Sequence, residues 1–229
     1  SNFRLEPEWF RTMSTRHNGP FISFIFIHSF IFSTAKISKI SKQWSMKELR
    51  KQLREIRRSI DQPSRKRDGK HLLYQCKKNA IFRNAKHVAI FIPNDGEIET
   101  SAVINFLVHQ GYFVYLPILV GEKLKFAKMG KFFRKNRFGI EEPIFTPLRG
   151  AHKMNIILMP LVGFDKNKNR LGMGGGFYDK TLSFHTKLKR FRVPKLFGLA
   201  FDAQEVDKLQ SKPWDVPVDG IVTPTRFIE

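Results

Sequence analysis

Cysteine is nearly absent from this chain of 229 residues: Cys76 stands alone, so no internal disulfide and no Cys-rich zinc site can be built. A reducing compartment, the cytoplasm, is the natural reading. The seven histidines (His17, His28, His71, His87, His109, His152 and His185) are scattered, with no HExxH and no close pair, and no histidine-bound metal is expected. Long apolar runs are lacking too. The most prominent, Phe21 to Phe32 (FISFIFIHSFIF), covers 12 residues and is broken by His28, whereas a spanning helix needs about 20. Acidic residues are outnumbered, 20 against 41 lysines and arginines, for a formal net charge of +21. Such a field draws anions: nucleic acid, acidic membrane, or a small phosphorylated or polycarboxylate substrate. The basic residues run along the whole chain and form no tail, so a solvated basic surface is the simplest reading, with neither nucleic acid nor membrane as partner. No Ser/His/Asp grouping and no Cys-centred nucleophile stands out.

What is present falls into two parts. Residues 1–45 form an irregular extension, with KISKISK at Lys36 to Lys42 as basic punctuation. Arg11 and Arg16 precede the apolar stretch as in a signal peptide, but no small-x-small cleavage site follows. The reading adopted is that Met46 is the natural start and that the segment before it comes from an upstream start or a tag. From Met46 to residue 229 one catalytic α/β domain is expected, acting as a monomer. Met46, Leu49, Leu53, Ile56 and Ile60 recur at steps of three and four and mark an amphipathic helix ended by Asp61 and Pro63, with Arg50, Arg54 and Arg57 on another face. A second helix is predicted over 69–82. Strands are predicted over 87–92, 112–117, 155–162, 196–201 and 219–223, and helices over 99–110 and 178–191. This alternation implies a mostly parallel sheet covered on both faces, with ligands beyond the carboxyl ends of its strands.

The sharpest feature is Arg170 to Asp179, RLGMGGGFYD, where Gly172, Gly174, Gly175 and Gly176 fall between a strand and a helix. Glycines let backbone N–H groups approach a ligand, and such donors at a helix start cradle phosphate. The segment is neither GxxxxGK[ST] nor GxGxxG, and a flexible turn is the competing reading. Asp179 either complements the helix dipole or holds Mg²⁺ beside phosphate oxygens, with Asp219 as a second carboxylate. Asn94 to Thr100, NDGEIET, follows the first core strand. It serves equally as helix-entry punctuation and as a loop presenting Glu97 to a heterocyclic amine. Trp214 offers a stacking wall or plain packing, and Arg50 a phosphate contact or a solvated face.

At these residues the chain resembles the 5-formyltetrahydrofolate cyclo-ligase family. The likeness runs from about Met46 to Thr225 through KELR, IFIPNDGEIET, YLPIL, NRFGIEEP, MPLVGFDKNKNRLGMGGGFYD, GLAFD and WDVPVDGIVTP. It implies a three-layer αβα, Rossmann-like fold of the CoA-transferase-like kind. It also implies an ATP- and Mg²⁺-dependent conversion of 5-formyltetrahydrofolate, with or without a polyglutamate tail, to 5,10-methenyltetrahydrofolate. Carried over by position, Lys47, Arg50, Arg170, Leu171, Gly172, Met173, Gly174, Gly175, Gly176, Phe177 and Tyr178 would bind ATP. Met173 to Phe177 would also face the folate, together with Ile92, Glu97 and Trp214. Tyr178 and Asp179 would stand at the reacting groups, and Asp179 and Asp219 would ligate the metal. The chain departs from the family pattern at Met173, where many relatives carry arginine, and at Phe177, where many carry tyrosine. The amino-terminal lysine of the family falls at Met46, one residue before Lys47. A basic nucleic-acid-binding protein and a phosphate-binding homologue without the activity are the rival readings.

Overall fold

The computed structural model describes residues 45–136, 139–144, 146–187 and 194–229; residues 1–44 of the expected extension and the far part of the helix expected over 178–191 lie outside them. Helix α1 (Met46–Ser59) begins at a capping box. The Ser45 hydroxyl accepts from the Glu48 N–H, and the Glu48 carboxylate accepts from the Ser45 N–H at 2.9 Å. Ser45, assigned from sequence to the extension, is thus part of the helix start. Asp61 ends nothing by itself: its carboxylate accepts from the Ser64 N–H and opens α2 (Gln62–Lys78), seven residues before the expected start, with Pro63 in the first turn. The charged stretch SRKRD masks that first turn in the sequence.

Strand β1 (His87–Ala89) leads to α3 (Ser101–His109) and β2 (Phe113–Val120). An antiparallel edge follows: β3 (Lys123–Lys128), a small β4 (Phe133–Lys135) and β5 (Glu141–Pro143) pair, and β6 (Leu148–Arg149). Strand β7 (Ile156–Pro160) returns to the centre. The hairpin of β8 (Gly163–Phe164) and β9 (Arg170–Leu171) carries the chain to α4 (Phe177–Leu182), α5 (Phe184–Lys187) and β10 (Lys195–Leu199). Strands β11 (Gly220–Val222) and β12 (Phe227–Ile228) close the chain. The main sheet has the order β12-β11-β10-β7-β1-β2-β3-β6, parallel from β11 to β2 and antiparallel at both edges.

Alternate residues of the central strands enter opposite cores, as a pleat requires. Val88, Ile90 and Leu158 join Leu72, Cys76, Val103 and Leu107 from α2 and α3 on one face. Ala89, Ile157 and Met159 join Met154, Leu182 and Val216 on the other. The result is the expected three-layer α/β arrangement. A smaller cluster seats Leu49 and Leu53 of α1 against Val162, Leu171, Val206 and Leu209, which brings α1 to the carboxyl end of the sheet. Burial pushes the Cys76 thiol up to about 12, so it is an inert core residue. Among the described residues no helix is long and apolar enough to cross a membrane.

Candidate active site

The carboxyl ends of β1, β2 and β7 open into a cavity of about 1040 Å³. Ligands of a parallel α/β sheet sit beyond the carboxyl ends of its strands, as the alternation of strands and helices predicts here. Ile92, Asn94, Asp95 and Glu97 line it from the loop after β1, Pro117 and Leu119 from β2, and Pro160 to Val162 from the end of β7. The whole stretch from Arg170 to Lys180 forms a second wall. Arg50 and Arg57 of α1 and Lys212, Trp214 and Asp215 of the loop before β11 complete the lining.

Glycine geometry shapes the wall from Arg170 to Lys180. Gly174 and Gly176 have φ of +99° and +65°, a left-handed region open to glycine at little cost, and Gly176 is the residue from which α4 starts. The Arg50 guanidinium donates to the Gly172 carbonyl at 2.9 Å and fastens this loop to α1. Asp179, in the first turn of α4, forms an ion pair with Arg170, whose side chain is nearly buried, and accepts from the Val216 N–H at 3.1 Å. Lys180 pairs with Glu122 at 3.0 Å. Arg50 instead holds backbone carbonyls, and Lys212 lies 5.2 Å from the centre of the Trp214 ring.

The opposite wall is built on Asp95. Its backbone is left-handed (φ +53°), followed by Gly96 at +77°. Its carboxylate receives Arg54 and, about one turn further along α1, Arg57 and Arg58. Burial pushes that carboxyl up, but the guanidinium hydrogen bonds outweigh it and hold the group far below the usual range. Two residues on, Glu97 has the reverse balance. Burial pushes its carboxyl up to about 7, against the opposing pull of Arg57 and the Asn94 N–H. A carboxyl poised near neutrality in a cleft marks a candidate functional group. Tyr178 faces it: burial, and then the Glu97 charge, hold its phenol above the ordinary range, so it stays a protonated donor.

The structure therefore brings together Arg50, Ile92, Glu97, Trp214 and Arg170 to Asp179, as expected from sequence. Two expected residues fall elsewhere. Lys47 is exposed on α1 and does not line the cavity, because Met46 takes the inward position of that turn. Asp219 is also exposed and outside the cavity. It sits at the amino end of β11, where its carboxylate accepts from the Leu196 N–H at 2.6 Å and ties β10 to β11. The carboxylate pair expected for Mg²⁺ is thus not assembled, and no group of three or more His, Cys, Asp or Glu arranged for a metal occurs among the described residues. Asp219→Ala is accordingly expected to leave kcat within about threefold while lowering stability by about 0.5–1.5 kcal/mol for the lost, partly buried hydrogen bond. Steady-state rates with a thermal melt would check this.

Sequence reading missed Arg57, Asp95 and Lys212 as cavity residues. It read Asp95-Gly96 as a turn and Arg57 as a helix-face cation; the available signal was the Arg54/Arg57/Arg58 spacing, which puts three guanidiniums within reach of one carboxylate. It also missed Glu142, nearly buried, which accepts from Leu119 N–H and from the Asn136 amide at 2.8 Å and sets the rim near Ile140.

Known proteins similar to this chain identify its family. Residues 42–224 match the model of the 5-formyltetrahydrofolate cyclo-ligase family. The 5-formyltetrahydrofolate cyclo-ligase of Haemophilus influenzae is 40% identical over 147 residues, covering 61% of this chain and 76% of that one. The one of Escherichia coli K12 is 37% identical over 153 residues, covering 63% and 81%. Among solved structures, the NMR structure of Aquifex aeolicus 5,10-methenyltetrahydrofolate synthetase superposes with a TM-score of 0.68 at 26% identity, over 80% of this chain and 91% of that one. With a family match over most of its length and the family's motifs gathered around one cavity, the chain belongs to the 5-formyltetrahydrofolate cyclo-ligase family.

Proposed function

We propose that the protein uses ATP to cyclise 5-formyltetrahydrofolate to 5,10-methenyltetrahydrofolate, releasing ADP and phosphate. The observation that carries this reading is a single cavity, about 1040 Å³, with a glycine-rich backbone wall on one side and the Glu97 carboxyl on the other. That volume is at the upper end of small-molecule sites, which suits two ligands side by side. The γ-phosphoryl group passes to the formyl oxygen as its bond to ADP breaks, the N10 nitrogen attacks the activated carbon and gives its proton to solvent, and the C–O bond breaks as phosphate leaves. No protein nucleophile is required; the chain's task is to hold two ligands in line and balance phosphoryl charge.

The residue roles belong to the same proposal. Glu97 accepts from the N–H groups of the heterocycle, with Ile92 and Phe177 against its apolar faces and Trp214 at the rim. The N–H groups of Gly172 to Gly176 face the phosphates. Arg50 and Lys212, which have no carboxylate partner among the described residues, supply cations to the nucleotide. Tyr178 donates a hydrogen bond and does not act as a base. Leu171 packs beneath the loop. Magnesium is proposed to enter with ATP, whose phosphates supply most of its ligands, with Asp179 as the protein carboxylate beside them; when bound it would neutralise phosphoryl charge. The finer parts of the same reading are one catalytic domain over 46–229, a monomer in the cytoplasm, and a basic surface that attracts a polyglutamate tail.

The test is to mix the protein with 5-formyltetrahydrofolate and follow the absorbance of the methenyl product with and without ATP. Product formation strictly dependent on ATP is expected. ATP binding without turnover would favour a homologue that has lost the activity, and salt-sensitive retention of DNA or RNA without either would favour the nucleic-acid reading.

A further inference from the structure

Arg57 is 1% exposed, although arginine is almost never fully buried without a partner. Its guanidinium reaches three of the segments that line the cavity at once. Nε donates to the Asp95 carbonyl at 2.9 Å and Nη2 to the Asp95 carboxylate at 2.7 Å, which fixes the loop after β1. Nη1 donates to the Leu161 carbonyl at 3.2 Å, at the end of β7, and lies 3.9 Å from the Glu97 carboxylate. Nη2 also lies 3.8 Å from the Met173 sulfur in the glycine-rich loop. The approach is close on the loop side as well: a Cβ at Gly96 would stand 3.2 Å from the Arg57 carbonyl oxygen and 3.1 Å from the Arg58 Cα.

We propose that Arg57 is the positioning residue of the cavity: it holds the Glu97 loop, the end of β7 and the glycine-rich loop in one register, and it sets a cation 3.9 Å from the Glu97 carboxyl that meets the folate. The proposal rests on the folate and ATP reading above. A purely structural role accounts poorly for the choice of residue, because a well-packed apolar side chain often serves stability as well as a buried ion pair does. Asp95 alone does not require Arg57 either, since Arg54 and Arg58 also reach it from the outside. What Arg57 adds is a cation beside Glu97. The charged and titratable groups facing Glu97 are Arg57 and Asp95 on one side and Tyr178, backed by Arg170, on the other. Of these, Arg57 is the largest influence favouring the ionised form.

The experiment compares the wild type with Arg57→Gln, Arg57→Lys and the reference Glu97→Gln, measuring kcat and the KM for 5-formyltetrahydrofolate across the pH range around neutrality. In the wild type KM is expected to rise as pH falls through the Glu97 titration, and Glu97→Gln is expected to lose that inflection. Arg57→Gln should move the inflection up by about one pH unit and raise KM at neutral pH about tenfold, with kcat changed less than about threefold. Arg57→Lys keeps the charge but cannot bridge three segments with one ammonium; it should keep the inflection and raise KM about threefold or more. An unmoved inflection in Arg57→Gln overturns the proposal. If that variant does not fold, an unchanged KM in Arg57→Lys overturns it instead. Difference infrared titration of the Glu97 carboxyl in ligand-free protein, identified by its loss in Glu97→Gln, reads the same shift without turnover. An inactive wild type would therefore sink the functional reading and still leave this one decidable.

Discussion

Replacing Asp179 with asparagine is expected to lower kcat by about 10³-fold while the KM for the folate stays within about threefold. Asparagine keeps the shape and can still accept from the Val216 N–H, so the wall of the cavity should persist. The charge is what disappears. Arg170, nearly buried, loses its carboxylate, and the metal proposed to arrive with ATP loses its protein ligand. Both losses act where phosphoryl charge develops, which places the effect on kcat and spares folate binding. An unpaired buried cation should also cost a few kcal/mol of stability, partly restored when nucleotide phosphate takes the place of the carboxylate. Single-turnover kinetics with melts in the presence and absence of ATP would measure both. Near-normal kcat in a folded Asp179→Asn enzyme would dismiss the assignment.

Glu97→Gln should move activity and stability in opposite directions. At pH 8 the folate loses a charge-assisted acceptor, a loss of about 1.5–3 kcal/mol, which corresponds to a fall in kcat/KM of roughly 10- to 100-fold. Stability should rise. The Glu97 carboxyl is held at about 7 in the folded chain against an ordinary value of 4.5. Between those values the folded state keeps a proton that the unfolded state has released, so this group lowers stability as pH climbs from about 4.5 through 7. Removing the ionisable group relieves that penalty, by on the order of 1–3 kcal/mol above pH 7 and little below pH 4.5. Denaturant melts of both proteins at pH 5 and pH 8 would reveal it. A variant equally destabilised at both pH values, or one with unimpaired kcat/KM, would remove Glu97 from the site. The wild type thus keeps a carboxylate in a place that disfavours it, the trade expected of a binding group.

The layout of the site was readable from the chain where local rules apply. Leu49 and Leu53 recur at helical spacing and do enter the core, and four glycines between a strand and a helix do line the cavity. Strand β3 was overlooked although Leu124 and Phe126 alternate with Lys123 and Lys125 in the period of two, because no Asn-Gly or Asp-Gly turn announces the hairpin. Asp61 was read as a stop because the residues after it are polar, when the same carboxylate is the start of α2. What no local rule could disclose is which distant groups pair. Asp95 meets arginines 37 to 41 positions earlier, and that meeting follows from α1 docking on Val162 and Leu171. Position by position, a family likeness carried Asp219 toward the metal. The backbone instead places it at the amino end of β11, bound to Leu196.

The margins of the main sheet bear on how the molecule behaves in a crowded solution. Strands β6 and β12 are two residues long, and β3 beside β6 carries outward lysines at 123, 125 and 128. An incoming strand from a second molecule finds few free amides and carbonyls to pair with, and it meets positive charge from a chain of its own sign. Among the described residues, the margins of the main sheet therefore disfavour the addition of a strand from a second molecule.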